Sequence, residues 1–258
     1  MRHRISNNTV SLIRSEKETN LIKKNRGTYL VYSVIKRFKQ GRTKDQKRRP
    51  AGDNCPILYA MKGRDNLIIQ PEDIRLLYEH SKELIQKHFQ GNFPYDALIL
   101  LPSSCNIADQ IGQIINSLYG TLIIKDSFLK KTVSEVRDDI YLMSRRYEID
   151  TATFSSLISN LKGADENGLI TIKDISMKNR TYVKPFKFNN DSNLKNQLQE
   201  VSSVLIIDDI MSSGATIDCA IHLLKGEYIN IAQIDVLTLF SSLDLVLCLL
   251  FVNIIDYL

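Results

Sequence analysis

A chain of 258 residues can bury a sizeable core, so one large α/β domain with appendages, or two small domains, is within reach. A hydrophobic share of 43%, with eleven tyrosines and nine phenylalanines, excludes wholesale disorder. Net charge is +5 and unevenly placed: fifteen Lys/Arg against three Asp/Glu give +12 in residues 1–50, and nineteen against twenty-six give −7 in the rest.

A basic block of this kind suits the phosphates of nucleic acid, where counterion release drives binding, and equally suits a solvated arm. Cys55, Cys105, Cys219 and Cys248 are scattered without a CxxC pair, and there are only four histidines, so neither a zinc module nor a disulfide framework is written here. A reducing, cytoplasmic compartment is expected. Met1 to Asn8 lacks an apolar h-region, so no secretory signal is expected.

In chain order, residues 1–26 are polar and read as loosely ordered. Thr28 to Phe38 is rich in aromatic and β-branched residues and is compatible with a strand or a short helix. A basic loop, Gln40 to Asn54, carries Gly41, Pro50 and Gly52 as breakers. Pro71-Glu-Asp-Ile opens the clearest helix: Ile74, Leu77, Tyr78, Leu84 and Ile85 share a face, and Gly91 follows an end near Phe89. Asp96 to Leu101 is an almost wholly apolar run, the pattern of a strand covered on both faces. The loop Pro102 to Asn106 leads into a helix with Ile107, Ile111, Ile114, Ile115 and Leu118 on one side, closed by Gly120 before a strand at Thr121 to Ile124.

Residues 125–200 show helical stretches around Thr132 to Tyr147 and Thr153 to Leu161, and a strand candidate at Gly168 to Ile172. A buried strand at Val201 to Ile207, a helix at Ala215 to Leu224 and a strand at Ile229 to Phe240 complete the alternation. The fold class expected is α/β, an open, mostly parallel, doubly wound sheet. It comprises a basic N-terminal region (1–54), a main domain (55–240) with an insert at about 125–200, and an apolar C-terminal segment (241–258). That last segment, with Asp244, Asn253 and Asp256 interrupting it, is shorter than a membrane span, and no stable membrane association is expected.

The chemistry concentrates in Val204-Leu-Ile-Ile-Asp208-Asp209-Ile-Met-Ser212-Ser213-Gly214-Ala215-Thr216. A buried strand ends in two carboxylates, then a hydroxyl- and glycine-containing loop opens a helix. In open α/β sheets ligands bind beyond the carboxyl ends of strands, where helix N–H groups favour an anion. Gly214 permits close approach, and Ser212, Ser213 and Thr216 add hydroxyls. Asp208 and Asp209 would repel a bare phosphate, so they call for a donor such as sugar hydroxyls or hydrated Mg²⁺. Both acids are expected at a solvent-facing strand end.

Apolar strand, Asp-Asp, two variable residues and Ser-Ser-Gly-Ala-Thr resembles the diphosphate-sugar signature of type I phosphoribosyltransferases. The resemblance implies 5-phosphoribosyl-1-diphosphate as ligand, Mg²⁺ as cofactor, and transfer of the phosphoribosyl group to a nitrogenous acceptor with release of pyrophosphate. By position, Asp208 and Asp209 would serve the ribose hydroxyls and Mg²⁺ as catalytic and metal residues, and Ser212, Ser213, Gly214, Ala215 and Thr216 would cradle the 5′-phosphate. Ser103 and Ser104, in the loop after the first sheet strand, resemble the pyrophosphate loop, with a plain helix cap as the alternative. Lys130, Lys131 and Arg137 fall where the family carries a mobile basic loop.

Ile57-Leu-Tyr59-Ala-Met-Lys62-Gly63-Arg64 and Pro94-Tyr-Asp96 are similar to segments of the ComF-like branch, although its four-cysteine N-terminal module is absent and the insert is long. Ser212 stands where enzymes acting on 6-oxopurines place an Asp, which disfavours that acceptor class. The alternative function is a non-catalytic nucleotide or sugar-diphosphate binding protein engaging nucleic acid through residues 1–50 or a protein partner. A homodimer is compatible with either. His80, His88 and His222 read as surface or packed residues rather than metal ligands.

Overall fold

The computed structural model describes residues 2–14, 20–36, 55–211 and 213–241. Eleven strands are found there: β1 (Arg2–Ser6), β2 (Thr9–Ile13), β3 (Ile22–Asn25), β4 (Leu30–Lys36), β5 (Ile68–Ile69), β6 (Ala97–Leu100), β7 (Leu122–Ile124), β8 (Phe128–Lys130), β9 (Phe186–Phe188), β10 (Ser203–Met211) and β11 (Gln233–Ser241). The helices are α1 (Pro56–Met61), α2 (Pro71–Phe89), α3 (Ile107–Tyr119), α4 (Val133–Arg145), α5 (Thr151–Asn160), α6 (Ser192–Gln199) and α7 (Ala215–Glu227).

Six strands form the main sheet in the order β3-β4-β11-β10-β6-β7; only β3 runs antiparallel to its neighbour. The apolar runs dictate this. All four residues of β6 are buried, as are Val204 to Ile207 of β10, because each strand is covered on both faces. Alternation sends Leu205 and Ile207 into a core shared with Ile57 and Leu58 of α1, Leu77 and Ile85 of α2, and Ile107 and Ile111 of α3. Val204 and Ile206 face the opposite core, with Ile217 and Leu224 of α7, Leu198 of α6, and Phe128 and Phe186 of the β8–β9 hairpin. Helices on both faces of a mostly parallel sheet make the chain an α/β protein.

Local signals placed several elements well. Pro71 sits in the first turn of α2 with Glu72 and Asp73, and Gln90 ends it in the left-handed region. Gly120 does the same for α3 at φ +68°. Thr132 and Glu135 cap α4 reciprocally.

Other expectations are corrected. Residues 1–26, read as loosely ordered, contribute β1, β2 and β3, and Thr28 to Phe38 contains β4, paired in parallel with β11. The main sheet therefore takes two strands from before residue 55. Gly168 to Ile172 is not a strand: Leu169 makes one isolated bridge with Thr132, and a 3-10 turn follows at Ile172–Asp174. Much of the insert packs as a satellite core of its own, around Val136, Ile140, Leu157, Leu161 and Val183. The basic loop Gln40 to Asn54 lies outside the described residues, as does the C-terminal segment 241–258, with Cys248, apart from Ser241, which ends β11.

One buried acid ties the N-terminal strands to the sheet. Asp235, at the start of β11, is 4% exposed and accepts from the Leu30 backbone N–H (2.7 Å), the Tyr95 hydroxyl (2.8 Å) and Gln233 Nε2 (2.9 Å). Asp235→Ala would leave the Tyr95 hydroxyl and the Leu30 amide without their acceptor, and is expected to cost about 2–4 kcal/mol. Urea denaturation checks this; a loss below about 1 kcal/mol would show that the acid is not the anchor.

Candidate ligand site at the sheet switch point

The chain passes from β6 through α3 to β7 on one side, then returns through the insert to β10 on the other side of β6. The strand order reverses there, and ligand crevices in α/β sheets open at this kind of switch point, outside the carboxyl ends of the strands. Two loops meet at it: Pro102 to Asn106 after β6, and the turn between Met211 and Ala215 after β10.

β10 does not stop at Ile207. It runs on to Met211, paired with β11 up to Asp208 and again at Ile210 and Met211, whereas its pairing with β6 ends at Ile207 opposite Leu100. Asp208 and Asp209 are thus strand residues at the place where one neighbouring strand has gone. Both are buried, at 9% and 5% exposure, which corrects the expectation of a solvent-facing strand end.

Alternation turns Asp209 toward the face covered by α1 and α3, where the loop after β6 and the end of α1 close over it. Its Oδ2 is ion-paired with the ammonium of Lys62 and accepts from Ser103 Oγ (2.8 Å) and Cys105 Sγ (3.5 Å). Burial opposes ionisation of Asp209, but the Lys62 charge and these donors outweigh it and hold its pKa below the ordinary value. For Asp208 the Asp209 amide and the Lys62 charge help too little. Burial first, and the neighbouring Asp209 charge second, push its pKa up to about 8. Its Oδ1 accepts the Asp209 backbone N–H at 2.8 Å.

The turn beyond the acids holds Gly214 at φ +89°, at the N-cap of α7. A Cβ at this position would meet the guanidinium of Arg26 and lie 3.0 Å from Met211 Cε, both ends of flexible side chains that can shift, so it is the positive φ that favours glycine here. Arg26 comes from the β3–β4 turn. It donates to the Ser213 carbonyl (3.3 Å) and lies 3.8 Å from the Asp218 carboxylate, which also accepts from the Tyr29 hydroxyl (2.5 Å). Among the described residues no side chain caps α7 at its N-cap, and the Ala215 N–H bond to Ser213 Oγ is long (3.4 Å). Ala215 is buried, whereas Ser213 and Thr216 are half-buried. The positive end of α7 is therefore available to an anion.

The site residues expected from sequence thus fall together in part. Ser103, Asp208, Asp209, Ser213, Gly214, Ala215 and Thr216 converge at the switch point; Ser104 lies in the same loop but is exposed; Ser212 is outside the described residues. Lys131 is held by Asp139 (2.6 Å), and Arg137 by Glu166 and the Leu161 carbonyl (3.2 Å). Both are committed to pairs within the insert. Sequence reasoning noticed Lys62 only as part of a resembling segment, and it missed Arg26, which no local signal distinguishes. His80 is buried at 3% exposure, and His88 packs against Tyr32 and Phe89.

The donor set does not suit an Mg²⁺ held by the protein. Lys62 already stands at Asp209, three donors share its Oδ2, and no group of three or more His, Cys, Asp or Glu is placed to hold a metal among the described residues. In comparisons with known proteins, the chain matches no family model and no curated protein. No helix among the described residues is long and apolar enough to cross a membrane.

The raised pKa of Asp208 gives a signed pH prediction. Its proton is retained in the fold and lost more easily on unfolding, so the stability linked to it is full below the unfolded aspartate value of about 3.9 and is lost as pH rises through about 8. Asp208→Asn, which keeps an acceptor for the Asp209 amide, is expected to become progressively more stable than the wild type between about pH 4 and about pH 8. Denaturant midpoints of both proteins across that range measure the gap; a constant gap would mean Asp208 does not titrate as described.

Proposed function

We propose that the switch-point crevice binds 5-phosphoribosyl-1-diphosphate and that the chain is a type I phosphoribosyltransferase-like protein, transferring the phosphoribosyl group to a nitrogenous acceptor. The observation that carries this reading is the convergence of the two loops: Ser103 Oγ reaches Asp209 Oδ2 at 2.8 Å, which sets a hydroxyl-bearing loop and an anion-ready helix start on either side of an acid pair. A ligand with a diphosphate at one end, a diol in the middle and a phosphate at the other has the functional groups for all three. The resemblance of Asp208 to Thr216 to the diphosphate-sugar signature supports the same ligand.

In this reading the amides of Gly214 to Thr216 and the α7 dipole hold the 5′-phosphate, with Arg26 beside them. Asp209 accepts from ribose hydroxyls, and the loop Pro102 to Asn106 receives the diphosphate. Magnesium belongs to the substrate, as the counter-ion of its diphosphate, rather than to the protein. The acceptor nitrogen attacks the anomeric carbon as the bond to the pyrophosphate oxygen breaks, through an oxocarbenium-like transition state. Fixed amides and the Lys62 ammonium stabilise the charge that develops on the leaving group. Ser212, in place of an acid, leaves no group there to take a proton from a 6-oxopurine.

Calorimetric titration with 5-phosphoribosyl-1-diphosphate is the test, followed by pyrophosphate release with a panel of bases. The double variant Lys62→Met with Asp209→Asn removes both charges and leaves neither unpaired. It is expected to bind about tenfold or more weakly with a near-native Tm. Binding without base-dependent release would make the chain a sugar-diphosphate binding protein; no binding at all by the wild type would end the proposal.

A further inference from the structure

The backbone of Lys62 is firmly placed. α1 is buried along Pro56 to Ala60, the Lys62 N–H donates to the Leu58 carbonyl (3.0 Å), and the next turn closes through Gly63 (φ +60°) with the Arg64 N–H on the Tyr59 carbonyl (2.8 Å). From this cap the side chain reaches across 147 residues of sequence to Asp209, and both partners are nearly enclosed, with 9% and 7% of their side chains exposed. An ammonium and a carboxylate taken out of water together persist only where the geometry and further hydrogen bonds compensate for lost hydration. Ser103 and Cys105 supply those bonds on the same carboxylate oxygen.

A divalent cation at this pair would need carboxylate oxygens with lone pairs to spare. It would also have to tolerate an ammonium on the same oxygen. Asp209 Oδ2 carries three donors already, and Asp208 Oδ1 is used by the Asp209 amide. Hard divalent ions prefer several oxygen ligands and give up water reluctantly, so an enclosed oxygen shared with Lys62 is a poor partner.

We propose that Lys62 is the built-in cation of this site: it occupies the place beside Asp209 that a divalent metal would take, so the acid pair binds no free Mg²⁺ or Mn²⁺ unless Lys62 is removed. The inference rests on the proposed function only for the identity of the ligand. Any magnesium present with a sugar diphosphate then arrives on the ligand, and Lys62 is the charge the protein itself offers to it.

The test needs no sugar ligand. The wild type, Lys62→Met and Lys62→Arg are titrated with Mn²⁺, read by electron paramagnetic resonance, and their Tm is followed in chelator and in millimolar Mn²⁺. The wild type and Lys62→Arg are expected to show no sub-millimolar site and no Mn²⁺-dependent shift. Lys62→Met, with Asp209 unpaired, is expected to lose about 5–10 °C in chelator and to recover most of it with Mn²⁺. A sub-millimolar Mn²⁺ site in the wild type or in Lys62→Arg overturns the proposal, as does a folded Lys62→Met that gains none. Should Lys62→Met not fold, the other two proteins decide alone. Failure of the wild type to bind 5-phosphoribosyl-1-diphosphate would sink the proposed function and leave these metal arms standing.

Discussion

Two carboxylates lie side by side on a strand whose preceding residues are wholly buried, and the architecture around them is arranged to neutralise that charge. An isolated buried carboxylate is costly enough that it either finds a cation or keeps its proton. The chain does both: Asp209 is paired with Lys62, and Asp208 is held toward its protonated form. The early end of β6 makes this workable, because the gap it leaves beside β10 is filled by polar groups of the following loop rather than by another apolar strand. The position of β6 in the sheet, the loop after it and the cap of α1 are thus coupled through one acid.

The elements that frame the crevice were legible because each has a local cause. β6 and the first half of β10 read as continuous apolar runs, α3 as an amphipathic repeat closed by Gly120, and α7 as the helix after Gly214. What was not legible depends on distance. That Asp208 and Asp209 are inside β10 rather than beyond it follows from β11 continuing to Ser241 beside them, a pairing with no signature in the residues 204–209 themselves. The partner of Asp209 is 147 residues away, and the residue packed on Gly214 is 187 positions from Ser213. Short strands were lost for a related reason: β8 and β9 are three residues each, and the Phe128–Phe186 stack that joins them is a tertiary contact across the insert.

In the N-terminal region, composition alone does not say which charges are paired within the chain. Its basic excess suggested a solvated arm or a polyanion-binding face, because a charge run has no visible partner in one dimension. In three dimensions part of that excess faces the chain's own acids. Arg14 pairs with Glu83 of α2, and Arg26 lies between the Ser213 carbonyl and Asp218 of α7. β1 and β2 form a separate three-stranded sheet with β5, whereas in the main sheet the basic start meets the acid-rich remainder where Arg26 approaches α7. Strand pairing through β3, β4 and β11 is what brings them into register.

That complementarity bears on how the site could select a ligand. A guanidinium beside the positive end of a helix is unfavourable on its own, since both repel further positive charge and neither satisfies the other. Asp218 offsets part of this from the first turn of α7, but it is exposed on its outer side and 3.8 Å from Arg26, too far for a close pair. The same end of the sheet holds Lys62 locked on Asp209, so the two cations are distributed differently: one balanced inside, the other under-balanced at the rim. An incoming phosphate would relieve the rim first, where N–H groups and Arg26 are oriented by the Gly214 turn, and would meet the enclosed Lys62–Asp209 pair only after it is seated. Under the proposed function, that order would favour an anion that is phosphorylated at one end and polyhydroxylated toward the centre, because a simple anion would gain only the rim.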